Sequence, residues 1–189
     1  IGSPPIPTQV VWPIFARAEK LDVPIYLHPA LPNATVTDIY LKEYVKDFPL
    51  VARPAWGFTV ETATQAIRLV LSGVFAAHPN LKIVLGHFGE TLPFLMWRID
   101  AALKRPGQKP MSFRDIFSKN FYLTTSGFFS NPALLCCMME MGVDHILFAV
   151  DWPFVDDNKP AIDWMACAPL CDEDKAKILR GNARRQLRI

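Results

Sequence analysis

The length, composition and charge of this chain exclude several classes of protein. Its 189 residues are enough for one domain with a sizeable core, and 51% hydrophobic with 20% charged residues exclude a disordered chain. The formal net charge of +2 gives no support for nucleic-acid binding. No apolar run reaches the roughly 20 residues that span a bilayer, so we expect no membrane partner.

The four cysteines indicate reduced thiols. Cys136 and Cys137 lie in an apolar stretch, and Cys167 and Cys171 belong to no paired CxxC zinc motif. No signal peptide is visible in the sequence. Because cytosolic proteins keep their thiols reduced, we expect a cytoplasmic protein.

Predicted helices and strands alternate along the chain. In order, we predict a loop at 1–7, a helix at 8–21, a strand at 23–28, an irregular excursion at 33–55 with a helix at 37–46, a helix at 59–77, a strand at 82–87, a helix at 91–103, a loop at 105–112, a strand at 121–124, a helix at 131–141, a strand at 146–151, and helical segments at 172–179 and 182–187. The strands are continuous apolar runs, which is typical of an α/β fold with a parallel sheet covered by helices.

Three of the four predicted strands end on an ionisable residue, namely His28, His87 or Asp151. Core packing gives no reason to place such groups at the same end of successive strands. In a (β/α)8 barrel, the C-terminal ends of the strands carry the active site. We therefore predict a functional site at this end of the sheet.

Four strands cannot close an eight-stranded barrel. We therefore expect residues 1–189 to be the C-terminal portion of a single (β/α)8, or TIM, barrel domain whose upstream half is absent. A complete open sheet of four strands is the alternative, and it would leave exposed edges.

His28 and Asp151 are the candidate metal ligands. Divalent metals favour imidazole nitrogen and carboxylate oxygen held on rigid strands. His28 could instead be a core histidine bonded to the backbone. A carboxylate after the apolar run ILFAV is costly to bury alone, so we expect Asp151 to meet a metal, a cation or a catalytic task.

Four further residues complete the predicted site. His87 suits general acid–base catalysis or polarisation of a substrate oxygen. Glu90 can turn back to hold that imidazole, or can simply be a first-turn carboxylate at a helix N-terminus. Arg98 lies on an apolar helix and predicts an anion, either a substrate carboxylate or a salt-bridge partner on another helix. Phe154 could form the wall of an aromatic pocket or pack within its loop.

Four motifs occur in the order YLHP at 26–29, LGHFGETLPF at 85–94 followed by Arg98, VDWPF at 150–154, and GNARR at 181–185. Together they resemble the amidohydrolase-related decarboxylases, a family that includes aminocarboxymuconate-semialdehyde decarboxylase and the nonoxidative hydroxybenzoate decarboxylases. The resemblance covers nearly the whole chain, and its tryptophan-rich details are most similar to the hydroxybenzoate branch.

The resemblance implies a distorted TIM barrel with one divalent metal and no organic cofactor. Zinc is the first choice of metal, with manganese and magnesium as alternatives. His28 and Asp151 would be ligands, and the others would come from a first-strand Glu-x-His or His-x-His pair that nothing in this chain matches. The resemblance also implies that His87 is catalytic with Glu90 as its partner, that Arg98 contacts the substrate carboxylate, and that Phe154 lines the pocket.

The implied activity is metal-dependent, nonoxidative decarboxylation of a 2-hydroxybenzoate-type aromatic acid with release of CO2. In it, Asp151 delivers a proton to the ring carbon that bears the carboxylate. The implied partners are this small acid and further copies of the protein, as a dimer or tetramer. Two alternatives stay open, a superfamily hydrolase that cleaves a lactone or amide, and a noncatalytic half-barrel partner.

Overall fold

A computed structural model describes residues 8–107, 109, 111–155 and 157–189. The predicted loop at 1–7 lies outside these residues, as do two positions of the predicted loop at 105–112. Among the described residues, each helix is too short or too polar to cross a bilayer.

The centre of the fold is a four-stranded sheet in which each strand lies beside the next one along the chain. The strands are β1 (Ile25–Leu27), β2 (Ile83–Leu85), β3 (Phe121–Thr124) and β4 (Ile146–Leu147). All three pairings are parallel, with Ile83 opposite both Ile25 and Phe121, and Leu123 opposite Ile146. The predicted parallel sheet is confirmed. Within the described residues the sheet is open, with β1 and β4 as its edges.

Helices connect these strands and cover one face of the sheet. Their bounds are Trp12–Leu21, Ala34–Tyr40, Gly57–Leu71, Val74–Ala77, Leu92–Leu103, Phe113–Asn120, Asn131–Met141, Lys159–Cys167, Asp172–Ala176 and Asn182–Leu187. Short 3₁₀ turns lie at Thr8–Val11, Pro49–Ala52 and Val143–His145, and a π turn at Lys177–Gly181 joins the last two helices.

Several predicted bounds are wrong for local reasons. The predicted helix at 59–77 is broken at Gly73, whose φ of 83° lies in the left-handed region. The predicted helix at 37–46 begins earlier, because the side chain of Asn33 accepts a hydrogen bond from the amide of Thr35 at 2.9 Å. The observed helix Phe113–Asn120 lies outside the predictions, although the side chain of Ser112 caps it.

The hydrophobic core lies between the sheet and these helices. Phe113, Phe117 and Phe121 stack in succession, with ring centroids 5.5 and 4.4 Å apart, and so bind the unpredicted helix to β3. Ile83 and Leu85 of β2 point into the same core and are almost fully buried. The core thereby fixes β2 and β3 as the rigid centre of the sheet, directly below the ends that carry the predicted site.

Candidate active site

His87 stands in an unusual backbone segment just after β2. Five consecutive residues, 87–91, have positive φ angles between 48° and 74°, and only one of them is glycine. Left-handed backbone costs about 1–2 kcal/mol for each residue with a side chain, so this segment is strained. The right-handed helix predicted at 91–103 follows this segment and begins at Leu92, so Glu90 lies before the helix and not in its first turn.

The left-handed segment brings the side chain of Glu90 back onto His87. Nδ1 of His87 donates to Oε1 of Glu90 at 2.7 Å, and Glu90 is 1% exposed. Oε2 of Glu90 has no hydrogen-bond partner among the described residues. A buried carboxylate with a single partner favours a charged partner, so Glu90 favours the imidazolium form of His87.

The other ring nitrogen of His87 faces Asp151. Nε2 of His87 lies 3.7 Å from Oδ2 of Asp151, an ionic contact that is longer than a hydrogen bond. Burial makes the largest single contribution to the pKa of His87 and lowers it, but Glu90 and Asp151 together raise that pKa above its ordinary value. His87 is therefore held between two carboxylates, one buried and one at the surface of a cavity.

Asp151 lies on the same end of the sheet as His87, but not at the end of a strand. Pairing of β4 stops at Leu147, and Asp151 has a φ of 69° in the loop that follows. Its side chain is 26% exposed, so the carboxylate is only partly buried, and it faces the imidazole of His87. The chain leaves the sheet before the carboxylate, which places Asp151 at the rim and leaves it open to water or a ligand.

The imidazole of His28 follows β1 and is exposed. Its Nδ1 lies 2.8 Å from the carbonyl oxygen of Pro29, and because a carbonyl only accepts, Nδ1 carries the proton. Nε2 is then left with a free lone pair, as a metal ligand requires. Of the alternative interpretation, a core histidine bonded to the backbone, the backbone bond is present, but His28 is exposed and does not lie in the core.

The two predicted ligands supply only part of a metal site. One imidazole nitrogen and one carboxylate oxygen suit a divalent ion. Within the described ranges, no three His, Cys, Asp or Glu side chains come close enough together to hold a metal. The donors among the described residues therefore fit a divalent metal only with further ligands, such as the first-strand pair that the family resemblance implies.

A cavity of about 520 Å³ opens beside His87, Glu90 and Asp151. Its aromatic walls come from residues far apart in sequence, namely Trp56, Phe58, Phe128 and Phe154. Phe154 was predicted from the sequence, but the other three were not. The signal for Trp56 and Phe58 is weak, because both fall between the predicted excursion at 33–55 and the predicted helix at 59–77, and only the fold brings them to the end of the sheet.

Arg98 does not line this cavity. It lies on the exposed side of the helix Leu92–Leu103, next to Trp97, which is 74% exposed. Arg98 is therefore exposed and not enclosed by the apolar residues of its helix, and its contact with an anion stays a prediction. The helix spacing alone could not distinguish a core face from an exposed apolar face.

Comparison with known proteins identifies the family. The sequence profile described as Amidohydrolase matches residues 2–189. The chain belongs to the amidohydrolase family. It is 44% identical over 182 residues to gamma-resorcylate decarboxylase of Rhizobium radiobacter, covering 94% of this chain and 54% of that protein. The motif-based resemblance to hydroxybenzoate decarboxylases is confirmed.

Solved structures agree with this assignment to the amidohydrolase family. The structure of 2,6-dihydroxybenzoate decarboxylase from Rhizobium matches with a TM-score of 0.84 and 43% identity, over 94% of this chain and 55% of that one. A dihydroxybenzoic acid decarboxylase from Polaromonas sp. JS666, with bound manganese and 2-nitroresorcinol, matches with a TM-score of 0.85 and 41% identity, over 94% of this chain and 53% of that one. The chain thus spans about half the length of these relatives, in agreement with the predicted partial barrel.

Proposed function

We propose that the full-length protein is a metal-dependent, nonoxidative decarboxylase of a 2-hydroxybenzoate-type aromatic acid. The observation that carries the proposal is the 3.7 Å contact between Nε2 of His87 and Oδ2 of Asp151 at the wall of a cavity, with buried Glu90 behind the imidazole. The similarity to gamma-resorcylate decarboxylases supports the same reaction.

The cavity suits a small aromatic acid. Its volume of about 520 Å³ lies within the usual range for small-molecule sites. Trp56, Phe58, Phe128 and Phe154 offer ring faces and edges to a flat substrate. Phe154 is the residue that we propose to pack against the substrate ring, since it also lies beside His28, with ring centroids 6.4 Å apart.

We propose that Nε2 of His28 and the carboxylate of Asp151 hold a divalent metal together with residues from the upstream half of the barrel. Bound there, the metal would supply positive charge that holds the carboxylate and neighbouring hydroxyl oxygens of the acid. Manganese replaces zinc as our first choice, because the structures of relatives from Polaromonas sp. JS666 and Novosphingobium aromaticivorans contain manganese.

The proton that replaces the carboxylate is assigned to Asp151. Its carboxyl group would protonate the ring carbon that bears the substrate carboxylate, which interrupts the aromatic ring. The bond from that carbon to the carboxylate then breaks, its electron pair restores the aromatic ring, and CO2 leaves. The imidazolium of His87, held by Glu90, is placed to return a proton to Asp151 through Nε2.

Arg98 and the assembly complete the proposal. Arg98 is proposed to contact a substrate carboxylate, as the family resemblance implies, although it does not line the cavity of its own chain. We also propose a homodimer or tetramer and a cytoplasmic location, the latter supported by four free thiols.

A direct assay on the full-length protein tests the proposal. CO2 release and resorcinol formation from 2,6-dihydroxybenzoate would be measured with the metal-stripped protein, then after addition of Mn²⁺. We expect turnover only with the metal. Cleavage of lactones or amides without CO2 release would support the hydrolase alternative instead, and a protein that neither binds nor requires metal would support the noncatalytic half-barrel.

A further inference from the structure

Three consecutive hydroxyl residues, the last residue of β3 and the two that follow it, contribute no ionisable group to the site. Thr124, Thr125 and Ser126, called the hydroxyl segment below, are 3%, 0% and 3% exposed. Polar side chains buried to this extent require hydrogen-bond partners. The partners of the hydroxyl segment lie on both β1 and the loop after β4, the two elements that carry the proposed ligands.

Toward β4, the hydroxyl of Thr125 forms hydrogen bonds that a neighbouring strand's backbone would otherwise form. The hydroxyl of Thr125 donates to the carbonyl of Ala149 at 2.6 Å and accepts from the amide of Ala149 at 3.0 Å. The amide of Thr125 also donates to the carbonyl of Leu147 at 3.1 Å, the last pairing of the sheet. One side chain therefore extends the ladder past its end and fixes the backbone two residues before Asp151.

Toward β1, the segment reaches across β2. The hydroxyl of Tyr26 lies 3.0 Å from that of Thr124 and 3.1 Å from that of Ser126, which are 2.5 Å from each other. A Cβ on Gly86 would lie 3.2 Å from the Tyr26 hydroxyl, so glycine leaves the space through which Tyr26 crosses β2. Since side chains alternate along a strand, Tyr26 and His28 share one face of β1.

We propose that Thr125 and Tyr26 are positioning residues that set the placement of Asp151 and His28 through the hydroxyl segment. This inference rests on the proposed function, because its subject is the proposed pair of metal ligands. The physical reason is that both ligands follow edge strands of only two or three residues, which the sheet alone anchors weakly. Hydroxyl groups at the end of central β3 supply fixed bonds toward both edges.

The test measures manganese affinity of the full-length protein by titration calorimetry, with the electron paramagnetic resonance signal of bound Mn²⁺ as a second readout. Thr125→Val keeps the shape of the side chain and removes both bonds to Ala149, while Thr125→Ser keeps the hydroxyl and is the matched control. Loss of groups that orient metal ligands weakens metal binding by about 10- to 100-fold. We expect that loss and an altered Mn²⁺ signal for Thr125→Val, and wild-type values for Thr125→Ser.

Tyr26→Phe keeps the test decisive if Thr125→Val does not fold, because it removes one hydroxyl from a half-exposed side chain and preserves the ring. We expect weaker manganese binding for this variant also. Wild-type affinity in every folded hydroxyl-deleted variant would overturn the inference. If the wild-type protein binds manganese and these variants bind it more weakly, but the wild-type protein releases no CO2, the proposed function alone is contradicted. A wild-type protein that binds no manganese would overturn both the proposed function and this inference.

Discussion

Nδ1 of His87 donates to Oε1 of Glu90 at 2.7 Å, although the two residues are only three positions apart and no right-handed turn joins them. The left-handed backbone at 87–91 makes this contact and leaves Nε2 of His87 directed at Asp151. Strain in the backbone is thus combined with a fixed orientation of the imidazole, an arrangement that is common at functional sites.

Replacing Asp151 should abolish turnover. Asp151→Asn keeps the size of the side chain but removes the proton that we assign to the ring carbon, so we expect kcat for 2,6-dihydroxybenzoate to fall by at least about a hundredfold. Asp163→Asn changes an exposed carboxylate on a helix and should leave kcat unchanged. Wild-type decarboxylation by the Asp151 variant would refute its catalytic role.

Removing the charge of Glu90 should lower the pKa of His87. The hydrogen bond and charge of Glu90 raise that pKa, whereas burial lowers it. In Glu90→Gln the charge is lost, so the lowering effect of burial is less fully offset. The measurement is an NMR titration of the His87 ring in metal-free, full-length protein. Glu43→Gln, at an exposed position, is the control and should leave the titration unchanged. An unshifted titration in Glu90→Gln would show that Glu90 does not set the charge of His87.

The same substitution should affect stability in a pH-dependent way. Because the pKa of His87 is raised in the folded protein, the stabilisation by its charged form is fully present below the unfolded value of about 6.5 and is lost as the pH rises through the folded value. Urea unfolding of the metal-free protein should therefore show a larger loss of stability from Glu90→Gln at pH 6 than at pH 9. A loss that is equal at both values, or larger at pH 9, would contradict the ion pair.

A side chain at Gly127 should displace Asp151, because the glycine packs directly against that residue. It has a φ of 65°, and a Cβ there would lie 3.2 Å from both Cβ and Oδ2 of Asp151. Gly73→Ala is the matched control, since Gly73 has a φ of 83° and nothing within 4 Å of an added Cβ.

The two alanine variants separate backbone strain from contact with the carboxylate. Both should lose about 1 kcal/mol of stability from left-handed backbone. Only Gly127→Ala should also weaken manganese binding to the full-length protein, measured by titration calorimetry, because only that methyl group displaces Asp151. Equal manganese affinity in the two variants would show that Gly127 is not needed for the position of the carboxylate.

Much of the site could be predicted because all strands of a parallel sheet point the same way, so residues that follow the strands in sequence lie at one end of the sheet. His28, His87 and Asp151 each follow an apolar run, and the structure brings all three to the same end of the sheet. The prediction that Asp151 ends a strand is wrong. Backbone pairing of β4 stops at Leu147, and the hydroxyl of Thr125 bonds the chain beyond that point. Side chains that substitute for backbone partners leave no periodic signal.

The sequence by itself determined the alternation of helices and strands, the family and the ionisable residues at the strand ends, because hydrophobic periodicity and short motifs are local properties. Only the tertiary structure decided how those residues meet. The left-handed turn that joins His87 to Glu90, the position of Trp56 at the wall of the cavity, and the outward side of the helix that carries Arg98 all depend on packing between segments distant in sequence. Such packing balances backbone strain against contacts that no single stretch of the chain contains.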